Sequence, residues 1–167
     1  MIHIYCGEGK GKTTAAIGLA VRAAGSGKKV YVARFLKDSD SGELESLSRL
    51  PNVSVAPCPD KMKFTFAMNE EEKAECRAQS LSLLEGAFES GAELIVLDEC
   101  CGAMATGMLD AALVSDYLAK FKDNTEIVLT GRDPDPKVEA LADYITCMTK
   151  LRHPFDKGLP ARRGVEF

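Results

Sequence analysis

Three glycines at alternate positions, Gly7, Gly9 and Gly11, lead directly into Lys12 and Thr13. These residue types at that spacing suit one task, the holding of a polyphosphate. Glycine lets successive backbone N–H groups converge on phosphate oxygens with no Cβ in the way, and a helix that follows adds the positive end of its dipole. Within Gly7-Glu8-Gly9-Lys10-Gly11-Lys12-Thr13-Thr14, Lys12 brings a point charge to the phosphates and the Thr13 hydroxyl a ligand for Mg²⁺. The segment departs from the pattern Gly-x-x-x-x-Gly-Lys-Ser/Thr, because Cys6 stands where the first glycine belongs. The competing reading is a flexible Gly/Lys turn; the strand before the segment and the helix after it favour nucleotide binding.

Two more groups carry chemistry. Asp98-Glu99 closes the apolar run Leu94-Ile95-Val96-Leu97. An acidic residue there binds Mg²⁺ directly or through water, and its neighbour orients a reactant or a water; a solvated strand end is the alternative. Thr130-Gly131-Arg132 follows Ile127-Val128-Leu129 in the same way, so Arg132 is placed either to reach an anionic ligand or to lie on the surface.

The elements that must position these residues follow from periodicity and punctuation. Ile2 to Cys6 reads as a buried strand, Lys12 to Ala24 as an apolar helix closed by Gly25-Ser26-Gly27, and Lys29 to Phe35 as a second strand. Asp38 to Gly42 is a turn, Glu43 to Arg49 a short helix, and Val53 to Ala56 a third strand between proline-bearing loops. Asn69 is placed to cap a helix with Glu72 as its partner, and Ala74, Ala78, Leu81, Leu84 and Phe88 recur on one face. Leu94 to Leu97 has the continuous apolarity of a central parallel strand. Leu109, Leu113, Tyr117 and Phe121 line another helix face. Ile127 to Leu129 is a strand, Pro136 to Ala142 a helix and Tyr144 to Met148 the last strand. Alternating strands and helices imply an α/β architecture, a mostly parallel central sheet flanked by helices, with ligands at the carboxyl ends of its strands.

Composition bounds the function. The 167 residues suit one domain, with 151–167 as a polar tail or lid. A net charge of -4 argues against nucleic acid and anionic membranes as partners. No apolar run is long enough to cross a bilayer, and the segment before the glycine loop is too short for a signal peptide, so the cytoplasm is the expected compartment. The cysteines at 6, 58, 76, 100, 101 and 147 form no Cys-x-x-Cys pair and read as reduced thiols. Cys100-Cys101 either packs or faces a ligand.

Taken together, these motifs resemble the ATP:corrinoid adenosyltransferases of the phosphate-loop type across nearly the whole chain. The likeness rests on Gly7-Glu8-Gly9-Lys10-Gly11-Lys12-Thr13-Thr14-Ala15-Ala16 and on Arg22 with the Ala23-Ala24-Gly25-Ser26-Gly27-Lys28 that follows. It extends to Phe35-Leu36-Lys37, Gly42-Glu43, Leu97-Asp98-Glu99 and Thr130-Gly131-Arg132. The tail is the most specific part: His153-Pro154-Phe155, then Gly158, Ala161 and Gly164-Val165-Glu166-Phe167. Two features depart from the family pattern. Phe64-Thr65-Phe66 stands where an aromatic-Thr-Trp motif is usual, in a chain with no Trp, and the first strand begins at residue 2, where members commonly carry an N-terminal extension.

The resemblance implies a phosphate-loop NTPase-like (RecA-like) fold and attack of a Co(I) corrinoid on C5′ of ATP, with triphosphate released. It assigns the departing triphosphate to Lys12, the loop amides and Mg²⁺ near Thr13, with Asp98 and Glu99 supporting the metal. Arg22 is implied on the adenosine side, while Phe64 and Phe66 are implied under the corrin, where they exclude an axial ligand; ordinary packing is the alternative for the two rings. A homodimer and a flavodoxin-like or flavin electron donor are also implied. Three rival classes remain: a kinase or NTPase with another acceptor, a non-catalytic ATP or corrinoid sensor and, least favoured on charge, a DNA-repair-type ATPase.

Overall fold

Burial alternates along the first strand, β1 (Ile2–Cys6): Ile2, Ile4 and Cys6 are covered while His3 and Tyr5 are half-covered on the other face. This strand opens the molecule, a computed structural model that describes residues 1–166. The other strands are β2 (Val30–Arg34), β3 (Val53–Val55), β4 (Leu94–Asp98), β5 (Glu126–Thr130) and β6 (Tyr144–Cys147). They form one sheet in the order β3-β2-β4-β5-β1-β6, and each neighbouring pair is parallel. β4 lies inside, buried at all five positions, as its unbroken apolar run requires. β6 is an exposed edge, and its polar Thr146 and exposed Tyr144 suit that place.

Each face of the sheet has its own core. On one side α1 (Lys12–Gly25) lays Ala16, Ala20, Ala23 and Ala24 on Val30, Val32, Leu94, Val96 and Val128, with Leu47 from α2 (Gly42–Leu47). Alanine on the buried stripe lets the α1 backbone come close to the strands, which keeps the glycine loop pressed against their ends. The other side packs α3 (Glu70–Glu89), α4 (Cys100–Ala105), α5 (Ala111–Phe121) and α6 (Pro136–Glu139) on Ile4, Phe35, Ile95, Leu97, Ile127 and Leu129. Each fully buried aliphatic side chain contributes about 1.5–3 kcal/mol.

α3 begins as its capping residues require: Asn69 Oδ1 accepts the Glu72 N–H at 2.9 Å, and the Glu72 carboxylate accepts the Asn69 N–H at 3.0 Å. Its buried face corrects the sequence reading. Cys76, Ser80, Leu83, Leu84, Ala87 and Phe88 are covered, whereas Ala74, Ala78 and Leu81 are exposed. Leu84 and Phe88 belong to both sets, so the buried face is the one read from the sequence, turned by roughly 100° about the helix axis. Alanine tolerates either solvent or core, so only Leu81 weighed for the wrong face. On α5, Val114 and Leu118 are fully buried, and Tyr117 (stacked) and Phe121 (tilted) pack on Phe88 with ring centroids 4.9 Å away in each case. Among the described residues no helix is long and apolar enough to cross a membrane.

Candidate functional site

The carboxyl ends of β1, β2, β4 and β5 bring four chain segments together, which is where a parallel sheet gathers its ligands. From β1 the glycine loop turns into α1 through Gly11, whose φ of 112° is left-handed and favours glycine. Gly7 donates its N–H to Arg132 O at 2.8 Å and Gly9 donates to Met148 O at 2.6 Å. A Cβ on Gly9 would lie 2.6 Å from that carbonyl oxygen, so the loop sits flush on the chain beyond β6. Lys12 Nζ is folded into the loop and donates to Gly7 O at 2.7 Å and Gly9 O at 2.8 Å. No side chain caps α1, so its first N–H groups remain for an anion.

The centre of the site is Asp98, fully buried at the end of β4. Its Oδ1 accepts the hydroxyls of Thr13 at 2.8 Å and Thr130 at 2.7 Å, and its Oδ2 accepts Lys37 Nζ at 2.5 Å. Lys37 Nζ also donates to Thr13 Oγ1 at 3.0 Å. The threonine at the end of the glycine loop and the aspartate at the end of β4 are thus in direct hydrogen-bond contact. Glu99 takes the left-handed region at φ 61°, strained for a residue with a Cβ. Its N–H donates to Thr130 Oγ1 at 2.8 Å. Burial pushes its carboxyl above the ordinary value of 4.5, partly offset by the Lys37 charge. Its carboxylate makes no hydrogen bond among the described residues, so it lies beside the Thr13–Asp98 pair without joining it.

A cavity of about 830 Å³ opens beside this centre, lined by Thr13, Thr14, Lys37, Arg34, Glu43 and Phe64 among others. Gly164, Val165 and Glu166 close one side of it. The tail reaches the loop itself, since Lys10 Nζ donates to Val165 O at 3.0 Å and lies 3.6 Å from the Glu166 carboxylate. Phe167 lies outside the described residues. Phe64 precedes the short 3₁₀ turn Thr65–Ala67 and Phe66 is its middle residue; the two rings stack with centroids 5.4 Å apart, exposed by 76% and 86%. Neither ring is packed in the core of the described chain.

Other residues fall elsewhere. Arg22 sits exposed in the last turn of α1, ten residues and so about 15 Å from Lys12, and the structure does not bring it to the cavity. Arg132 points outward to Glu8 at 3.4 Å, and its backbone carbonyl is what holds the loop. Cys100 and Cys101 are fully buried, and Cys101 is pushed up to about 12 by burial, so packing is their role. Lys37, Thr130 and Arg34 were not read as site residues. Their position at or just beyond a strand's carboxyl end was the available signal.

The oxygens of Thr13 and Asp98 are hard donors suited to Mg²⁺. Among the described residues no three His, Cys, Asp or Glu side chains cluster as a metal cage. Mg²⁺ is normally held by one or two protein oxygens together with substrate phosphates, so the donors present suit an ion that arrives with a polyphosphate.

Residues 1–167 match the family model described as ATP:corrinoid adenosyltransferase BtuR/CobO/CobP. Among curated proteins, the corrinoid adenosyltransferase of Sinorhizobium sp is 32% identical over 178 residues, covering 100% of this chain and 80% of the relative. That of Pseudomonas aeruginosa is 30% identical over 169 residues, with 100% and 83% covered. That of Escherichia coli (strain K12) is 29% identical over 167 residues, with 100% and 85% covered.

Proposed function

The chain belongs to the ATP:corrinoid adenosyltransferase family, and from that membership we propose how its residues divide the work of the reaction. The enzyme transfers the 5′-deoxyadenosyl group of ATP to the cobalt of a reduced corrinoid. Cobalt(I) supplies the electron pair for the new Co–C5′ bond, and the C5′–O bond breaks, its electrons leaving with the triphosphate. The electrophile is carbon, so no water need be activated at the γ-phosphate. The protein's task is to gather negative charge on the leaving group and to hold C5′ in line.

The observation that carries this division is the Thr13–Asp98 hydrogen bond at 2.8 Å, which ties the phosphate loop to the central strand. Gly7, Glu8, Gly9, Lys10, Gly11, Lys12, Thr13 and Thr14 form a phosphate loop on a RecA-like scaffold. Lys12 exchanges its two loop carbonyls for phosphate oxygens, and the free N–H groups of α1 take the remainder. Thr13 and Asp98 would hold Mg²⁺, which would supply positive charge to the leaving triphosphate, with Glu99 beside the pair. Phe64 and Phe66 offer an exposed apolar face to the corrin. Arg132 serves through its backbone. Arg22, remote in this chain, would contact adenosine only across a homodimer, a state that the family resemblance supports. A flavin or flavodoxin-like donor supplies the reducing electron on the same ground. Residues 1–167 act as one nucleotide- and corrinoid-binding domain, and the tail meets the loop through Val165 and Glu166.

The test is product analysis. Anaerobic incubation with ATP, Mg²⁺, a strong reductant and cobinamide or cobalamin is expected to give one intact triphosphate per light-sensitive organocobalt product. ADP with orthophosphate would move the site to kinase or ATPase chemistry.

A further inference from the structure

β2 ends at Arg34, and two residues later Leu36 adopts φ 53°, a left-handed conformation that a residue with a Cβ occupies at a cost. That turn folds Lys37 back across the end of the sheet. Its Nζ comes to rest 2.5 Å from Asp98 Oδ2 and 3.0 Å from Thr13 Oγ1. Thr13 spends its proton on Asp98 Oδ1 at 2.8 Å and gives Lys37 one of the two lone pairs with which its hydroxyl would ligate a metal. Thr130 takes a further place on Asp98 Oδ1 at 2.7 Å, which leaves Oδ2 as the open oxygen, and Lys37 holds that as well. A cation is therefore already seated on the two oxygens to which the divalent ion is assigned. The two cations cannot share that seat, since like charges a few ångströms apart in a buried site repel strongly.

We propose that Lys37 is a built-in competitor of the divalent ion: it neutralises buried Asp98 until metal and ATP arrive, and is then displaced. Lys37 is 26% exposed at its side chain and lines the cavity, so it has somewhere to go. The displaced ammonium remains beside the loop, where it adds a positive charge for the triphosphate. Its role is to position and to gate the metal, through Thr13 and Asp98. The inference rests on the assignment of the metal to those two residues.

Mn²⁺ binding to the nucleotide-free protein, followed by the electron paramagnetic resonance of free Mn²⁺, tests it. Lys37→Gln keeps a hydrogen-bond donor for Asp98 and removes the charge, and is expected to tighten Mn²⁺ by about tenfold or more. Wild type should melt at the same temperature in EDTA and in millimolar Mn²⁺. The variant should melt lower in EDTA and recover with Mn²⁺, because a buried carboxylate without a counter-charge recruits one. A Lys37→Met variant that folds only with Mn²⁺ would support the proposal equally. An unchanged or weakened Mn²⁺ affinity in Lys37→Gln would overturn it, as would variants equally unstable with and without metal. Asp98→Asn in the Lys37→Gln background separates the two readings. Mn²⁺ binding that needs Asp98 but ignores Lys37 defeats only the competition, whereas binding that ignores Asp98 defeats the metal assignment itself.

Discussion

Replacing Phe66 by Ala separates a substrate-facing ring from a structural one. A phenylalanine packed in the core costs about 3–5 kcal/mol when truncated. Phe66 is 86% exposed, and it stacks on the likewise exposed ring of Phe64 at 5.4 Å with an interplanar angle of 9°. Losing an exposed stack costs at most about 1 kcal/mol, so the variant should unfold in denaturant close to wild type. The corrinoid should register the change instead. One face of a phenyl ring is about 80 Å², and covering it is worth about 2 kcal/mol, roughly a 30-fold change in affinity. ATP affinity should hold, because Phe64 lines the cavity beside the loop and Phe66 does not. The assays are denaturant unfolding, ATP titration and corrinoid titration, with electron paramagnetic resonance of the bound Co(II) corrinoid reporting loss of the axial ligand. The four-coordinate signal should fall more for cobalamin, whose lower base must be displaced, than for cobinamide. A stability loss of about 3 kcal/mol, or unchanged corrinoid affinity and spectra, would refute the reasoning.

Lys12→Ala removes the charge that the loop carbonyls of Gly7 and Gly9 now hold. It is expected to weaken ATP by at least about tenfold with an unchanged circular dichroism spectrum, since a charged hydrogen bond is worth about 1.5–3 kcal/mol; a folded variant with wild-type affinity would sink the loop assignment. Glu99→Gln probes the carboxyl that burial raises above 4.5. A raised carboxyl binds its proton more tightly in the folded state, so its contribution is complete below the ordinary value and is lost as pH rises through the folded one. The Gln variant should thus gain on wild type from pH 4 toward pH 7 in urea unfolding, and a constant gap between the two would show Glu99 to be unperturbed.

Much of this molecule is local, and local features are legible in a sequence. The glycine loop and α1 follow from Gly7, Gly9, Gly11 and the alanine-rich run after Lys12. The capping box of Asn69 and Glu72 and the buried run of β4 depend on neighbours in the chain and were read correctly. Asp98 at a strand end beyond a glycine loop is likewise a matter of order and type. Three things needed the tertiary structure. Alanine is indifferent to burial, so the composition of α3 could not say that the Cys76–Phe88 stripe faces the sheet. Exposure of Phe64 and Phe66 depends on what the rest of the chain leaves uncovered, and an aromatic pair reads the same in a core or at a cavity mouth. The contact between Lys37 and Asp98 joins residues 61 apart in the chain. It exists because β2 and β4 are parallel neighbours whose carboxyl ends coincide, with Arg34 opposite Asp98. Sequence supplies the charges, but only the strand order decides which of them meet, because a Coulomb interaction depends on distance in space.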